Sequence, residues 1–495
     1  MGIEIDREEF SDDDRARFAA KLEACLDALR QVVARPGFGV GEPSIGAELE
    51  LNLVDAHRLP APVNRAVLED VKDDRLTLEV NRFNLEINAR PQPLRGRPLS
   101  ATARQLDEAL AATRAAAATH GASVVTVGIL PTLREEDLGP GALTDGRRYR
   151  ALSSSLRRIR QSPFPLRIRG EEDELRLLAE DVTYEGANTS FQVHLRASPD
   201  EFARTYNASQ VATGVVLAIA GNSPLLLGRR LWDETRIALF RQSVDERVEA
   251  SDDDWRPARV SFGHGWVRKG VVELFEEAVH LHEPLLPICG PDDPLAEVAR
   301  GDAPSLAELR LHHGTVWRWN RAVYDDTGGG HLRVEMRVLP AGPSVADMVA
   351  NAAFLLGLTL GLRDGMDRFM TQLTFGHARR NFYEAARLGL NAELLWPAER
   401  GASPMLVPAV KLAERLLPLA RAGLVGAGVE PDEAESHLGT IARRLAARTT
   451  GAKWQRQAFA AALVRSGGPS AASADVLERY MALSSSGTPV HDWPS

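Results

Sequence analysis

The sequence predicts an α+β protein in which antiparallel pairing dominates, and three observations carry that prediction. Four short stretches alternate apolar and polar residues with the period of a strand. Helical spacing recurs between them and fills the C-terminal part of the chain. The segments follow in the order strands, helix, strand, strand, helices, strand, which is not the regular strand and helix repeat of a parallel sheet.

Taken in order, residues 12 to 35 read as an amphipathic helix. Phe18, Leu22, Cys25, Leu26, Leu29 and Val33 fall at helical spacing behind Ser11 and the acidic Asp12 to Asp14. Gly37, Gly39 and Gly41 then lead into the first strand, at a spacing that fits neither a dinucleotide nor a Walker fingerprint. In that strand, Ile45 to Val54, the apolar side is Ile45, Ala47, Leu49, Leu51 and Leu53, and the polar side is Glu48, Glu50 and Asn52. Asn84 to Arg90 repeats the pattern with Glu86, Asn88 and Arg90, and Glu79 stands just upstream between Leu78 and Val80. A helix is expected from Ser100, its N-cap, to His120, with Gly121 at C′, followed by a strand over Ser123 to Leu130.

Residues 134 to 180, rich in Arg, Ser, Pro and acids, read as an excursion over the sheet that covers or borders a site. Ser190 to Arg196 sets Ser190, Gln192, His194 and Arg196 opposite Phe191, Val193 and Leu195. Residues 202 to 222 are helical and apolar. Arg236 follows as a candidate grip for a substrate carboxylate, against the plainer reading of a helical Arg paired with Asp233 or Glu234. Thr315 to Tyr324 is expected as a strand with Arg318 and Arg321 facing the site, and His331 to Val338 carries Arg333, Glu335 and Arg337 on one side. Met348 to Leu362 is too short to cross a bilayer and reads as a buried helix. From Ala378 onward the chain is helical, ending in a loose tail from Ser484.

The polar sides of these strands are unusual because they carry carboxylates, a histidine and arginines. Same-face neighbours on a strand lie roughly 6 to 7 Å apart, far enough for Glu48 and Glu50 to serve different metal ions. Carboxylates converging on one sheet face destabilise one another unless cations neutralise them, and hard divalent ions such as magnesium or manganese suit oxygen ligands. The plainer alternative is an antiparallel sheet with one solvated face.

Composition narrows the classes. With 495 residues and 44% hydrophobic content the chain can bury a large core. A net charge of −9 with dispersed Lys and Arg argues against nucleic acid. Only Cys25 and Cys289 occur, the N-terminus has no apolar core, and a cytoplasmic location with no membrane contact is expected. No GxSxG elbow is present, and neither cysteine has an obvious histidine partner. Oligomeric state stays open, a homo-oligomer included.

Together, the run Gly46 to Glu50, the Glu79 and Glu86 segment, the Thr189 to Arg196 strand with its histidine, and Arg333 to Arg337 resemble the type 2 glutamate–cysteine ligase family. These carboxylate–amine ligases share the glutamine synthetase catalytic fold, and the resemblance spans about residues 40 to 365. It implies a curved antiparallel sheet with helices on its convex face and with ATP and two or three magnesium ions on its concave face. Carried over by position, Glu50, Glu79 and Glu86 would hold one metal, and Glu48, His194 and Glu335 the metal that bridges the phosphates. Arg337, with Glu335, would be catalytic, and Arg318, Arg321 and Arg337 would meet the nucleotide. Gln192, Arg236 and Arg333 would contact substrate. The implied reaction activates the γ-carboxylate of glutamate as an acyl phosphate and joins it to an amine, cysteine foremost. A different acid or amine, a phosphotransferase of the same broad fold, and a non-catalytic nucleotide-binding protein are the alternatives. The expected organisation is a catalytic domain over 1 to 375, a helical extension over 376 to 482 and a tail over 483 to 495.

Overall fold

A computed structural model describes residues 5, 7–247, 256–398, 403–465 and 467–494. Its centre is a seven-stranded antiparallel sheet, whose strands are numbered here in chain order: β1 Ser44–Val54, β2 Leu76–Leu78, β3 Asn84–Pro93, β4 Ser123–Val125, β5 Ser190–Ala197, β6 Asn320–Asp325 and β7 His331–Pro340. The spatial order is β6, β7, β5, β1, β3, β2, with β4 pairing the far end of β1. The α+β expectation holds, and the sheet curls into a half-barrel.

Alternation sets the two faces. In β1 the residues Ile45, Ala47, Leu49, Leu51 and Leu53 are buried, while Glu48 and Glu50 between them are partly accessible. The apolar face packs against the helices Pro98–Thr119, Pro199–Ala220 and Val345–Arg363. The last of these passes a length and composition test for a membrane span, but 83% of its apolar window is buried inside the protein, which makes it a core helix. Ser11 caps the first helix, Asp12–Val33, with a reciprocal box formed with Asp14. Gly121, at φ +67°, ends the Pro98–Thr119 helix as read from the sequence, but Ser100 lies inside that helix and binds Glu433.

The excursion at 134 to 180 contains a helix, Arg147–Arg160, and a hairpin, Phe164–Arg169 with Glu174–Ala179. Beyond residue 375, the Ala409–Gly426 and Pro431–Ala447 helices pack on Val345–Arg363. The loose-tail expectation is corrected. The Val490 amide donates to Asp347 Oδ2 at 3.0 Å, and Trp493 packs edge-on against Trp454 and Tyr480. Buried aromatic area anchors a segment whose Ser and Gly content suggested disorder.

Candidate active site on the polar face

Because β1 lies between β5 and β3, it contributes one carboxylate to each side. Glu48 joins His194 of β5 and Glu335 of β7, and Glu50 joins Glu86 of β3 and Glu79, which follows β2. In each triad one ligand atom per residue lies within 4.8 Å of the others. A magnesium ion with bonds of about 2.1 Å spans ligands up to about 4.2 Å apart, so closing by about half an ångström would complete either set. Glu48 and Glu50 thus lie in separate clusters.

Register explains the convergence. Glu335 stands opposite His194, and Glu50 stands opposite Glu86. Between Met336 and Leu339 the β7 ladder slips by a residue against β5, so Arg337 sits in a bulge. A bulge re-aims a side chain. Here Arg337 Nη1 donates to Gln192 Oε1 at 2.8 Å and also contacts Glu335 Oε1. Gln192 Nε2 donates in turn to Glu50 Oε1 at 3.0 Å, and the Ser190 amide to Glu50 Oε2 at 2.7 Å. Arg321 of β6 binds the other Glu335 oxygen through Nε at 2.8 Å.

The electrostatics differ between the triads. Burial pushes the Glu335 carboxyl up, but Arg321 and Arg337 more than offset that and hold it well below the usual range. Desolvation also acts on the partly accessible Glu48, whose carboxyl is nonetheless lowered by His194. In the other triad burial and crowding outweigh the groups that oppose them. Burial and neighbouring carboxylates push Glu86 up to about 7 and Glu79 well above its ordinary value, and Glu50 is raised by burial despite Arg337.

Both triads fit divalent cations. Three carboxyls forced upward by burial and proximity are a site that a cation would relieve. His194 Nε2 lies 3.0 Å from Glu48 Oε1, yet neither ring nitrogen makes a well-angled hydrogen bond and both are buried. An imidazole left this way is suited to ligate a metal.

The other candidates separate. Arg236 is buried and forms an internal ion pair, donating to Glu234 Oε1 at 2.8 Å and to the Val338 carbonyl at 2.6 Å. The local pairing prevails because Glu234, fully buried, needs a cation. Arg236 still borders a cavity of about 20 Å³ whose polar walls include Glu50, Glu185 and Arg337. Arg333 shares the polar face but is held by Asp325 Oδ2 at 2.8 Å. Arg318 precedes β6, pairs with Glu277 and lies against Tyr206 of the core helix. The chain at Trp317 to Trp319 bonds to Ser261, and the strand proper starts at Asn320, so Trp319 and Arg321 face the site.

Three residues escaped the sequence reading. Tyr149, on the Arg147–Arg160 helix, donates its hydroxyl to the Leu78 carbonyl at 2.9 Å, and Arg148 beside it feels the charges of Glu79 and Arg321. The excursion therefore does border the site. Glu185 lies near Glu50, and burial pushes its carboxyl up to about 8, where a group can exchange a proton at neutral pH. Its sole sequence signal is its position five residues before β5.

Comparison with known proteins bears on the fold and the family. The structure superposes on the glutamate–cysteine ligase of Francisella tularensis solved in complex with AMP, with a TM-score of 0.55 at 12% identity, covering 90% of this chain and 89% of that one. A bifunctional glutathione synthetase from Pasteurella multocida aligns with a TM-score of 0.49 at 12% identity, over 95% of this chain and 55% of that one. No curated protein matches by sequence. The model of glutamate–cysteine ligase family 2 matches residues 44–468, a span that includes both triads and Arg337, and the chain belongs to that family.

Proposed function

We propose that the protein is an ATP-dependent carboxylate–amine ligase that activates the γ-carboxylate of glutamate and joins it to an amine, cysteine foremost. The observation that carries the proposal is the placement of Arg337 between two cation-ready triads on one sheet face, bonded directly to Glu335 and through Gln192 to Glu50. Family membership supports the ligase class.

A carboxylate is inert to amines, so ATP first converts it to an acyl phosphate by in-line phosphoryl transfer, a step catalysed by positioning and charge neutralisation. Divalent ions at the triads would neutralise phosphate oxygens. Arg337, fixed by Glu335 and Gln192, would stabilise the charge on the transferring phosphoryl group. The amine nitrogen then bonds to the acyl carbon, the carbon–oxygen bond to phosphate breaks, and phosphate departs. Glu185 borders the same cavity as Glu50, and once ionised its carboxylate would accept the proton that the amine loses. A reducing cytoplasm would suit a chain whose two cysteines are both free.

The test is ADP release by the purified protein with ATP and magnesium, first with glutamate alone and then with glutamate and a panel of amines that includes cysteine, with mass spectrometry of the products. A γ-glutamyl amide formed with one amine is the expected result. A stable phosphorylated product without amide would favour a phosphotransferase, and ATP binding without turnover would overturn the enzymatic reading.

A further inference from the structure

The connection from β2 to β3, residues 79 to 83, carries Glu79 and is held from outside the sheet. The Tyr149 hydroxyl donates to the Leu78 carbonyl just before it, the Thr144 amide donates to the Val80 carbonyl at 2.8 Å, and the Arg82 amide to the Ala142 carbonyl at 2.7 Å. Asn81, fully buried, lies at the centre. Its carbonyl accepts from the Asn84 amide at 2.9 Å and from Asn64 Nδ2 at 3.2 Å. Its side chain leaves the connection, and Nδ2 donates to the Thr183 carbonyl at 2.9 Å.

Thr183 belongs to the turn that carries Glu185, and this turn is braced internally. Asp181 Oδ1 accepts from the Thr183 amide at 2.9 Å, and Asn188 Nδ2 donates to the carbonyls of Tyr184 and Glu185, each at 2.9 Å. Gly186 closes against the Asn81 amide, where an added Cβ would stand 2.7 Å from both Cγ and Nδ2. One carboxamide is thus enclosed between the segment of Glu79, two residues before it, and the turn of Glu185. Asn81 Oδ1 is buried without a hydrogen-bond partner among the described residues, a cost to stability that packing alone does not explain.

We propose that Asn81 is a positioning residue that holds the turn of Glu185 and the metal ligand Glu79 in one fixed relation. The inference rests on the reading of Glu185 as the group that takes the proton of the amine. An acyl phosphate can meet two nucleophiles. When the amine nitrogen bonds to the acyl carbon, the bond to phosphate breaks and the amide forms; when a water oxygen bonds there, the same bond breaks and the free acid returns. Only an amine relieved of its proton competes with water, and a proton acceptor displaced by about 1 Å loses much of its effect.

The experiment compares the natural protein with Asn81→Ala, Gly186→Ala and the double variant. Manganese titration should show one ion per chain weakened by about tenfold or more in each variant, the loss typical of a supporting residue, and the ion of the His194 triad unchanged. That unchanged ion also shows that the variants fold, and if Asn81→Ala does not, Gly186→Ala carries the test. With ATP, magnesium, glutamate and cysteine, or whichever amine turns over, the amide formed per ADP released should fall by about threefold or more. Because both single changes act on one carboxamide, the double variant should be no worse than Asn81→Ala. Unchanged manganese affinity, loss of both ions together, an unchanged ratio of amide to ADP, or additive losses in the double variant would each overturn the proposal. Absence of amide from the natural protein with every amine would instead overturn the ligase reading, and the manganese titration would still decide whether Asn81 places Glu79.

Discussion

Arg337 and Glu50 never touch, yet one amide joins them: Gln192 accepts from Arg337 at 2.8 Å and donates to Glu50 at 3.0 Å. The amide orients a cation on β7 relative to a carboxylate on β1 across the strand that separates them. Gln192→Ala should lower kcat of ADP release by roughly 10-fold to 100-fold with little change in thermal midpoint, since misplacing a positioned group is enough to cost that much. An unchanged kcat would show that Arg337 keeps its place without the amide.

Removing the charges themselves should cost more. Arg337→Ala and Glu50→Gln are each expected to lower kcat by about 10² to 10³ or more, the range seen when a donor to developing charge is deleted. Steady-state ADP assays measure this, and near-normal rates in both variants would remove the proposed site.

Two triads predict two separable ions. Titration with manganese should show two ions per chain, with Glu86→Gln losing one and His194→Ala losing the other. Simultaneous loss of both ions in either variant would mean that the triads form a single site.

Stability without divalent ions should depend on pH in a definite direction. Glu86 and Glu185 rise to about 7 and about 8 in the folded protein, against an ordinary 4.5. At these two groups the folded state therefore binds more protons than the unfolded chain, so their contribution to stability falls as pH rises from about 4.5 to about 8. Above about pH 6.5 the buried His282, His312 and His313, which burial keeps neutral in the folded protein, no longer oppose that fall. Magnesium competes with those protons, so it should raise the melting midpoint more at pH 8 than at pH 5.5. Calorimetric scans in EDTA and in magnesium check both statements, and an equal shift at the two pH values would contradict them.

Arg236 carries a structural prediction. Arg236→Ala strands the fully buried Glu234 carboxylate and should destabilise the fold by about 3–5 kcal/mol in urea unfolding. Replacing both residues with apolar side chains of similar volume should recover most of that loss.

The polar face was legible because apolar and polar residues alternate along β1, β3, β5 and β7, which puts Glu48, Glu50, Glu86, His194 and Glu335 on the side opposite the apolar residues of their strands. Glu79 follows the end of a three-residue strand, too short to show a period, and family resemblance singled it out. The strand expected from Thr315 starts only at Asn320, because the alternation of Trp317 to Asn320 begins before the sheet does, in a segment bonded to Ser261. Tyr149 and Glu185 reach the site through long-range packing of an excursion and a strand approach, for which no local pattern exists. Trp493 hid in a segment whose average composition is that of a tail.

The position of β1 has a final consequence for how errors in folding express themselves. A slip of one residue in this strand would turn Glu48 and Glu50 into the apolar helices and bring Leu49 and Leu51 out to the wet face. The same displacement would empty both triads and spoil the core at once. Core and polar face therefore depend on one variable, and a chain that has buried the apolar side of β1 in register has already brought both triads together.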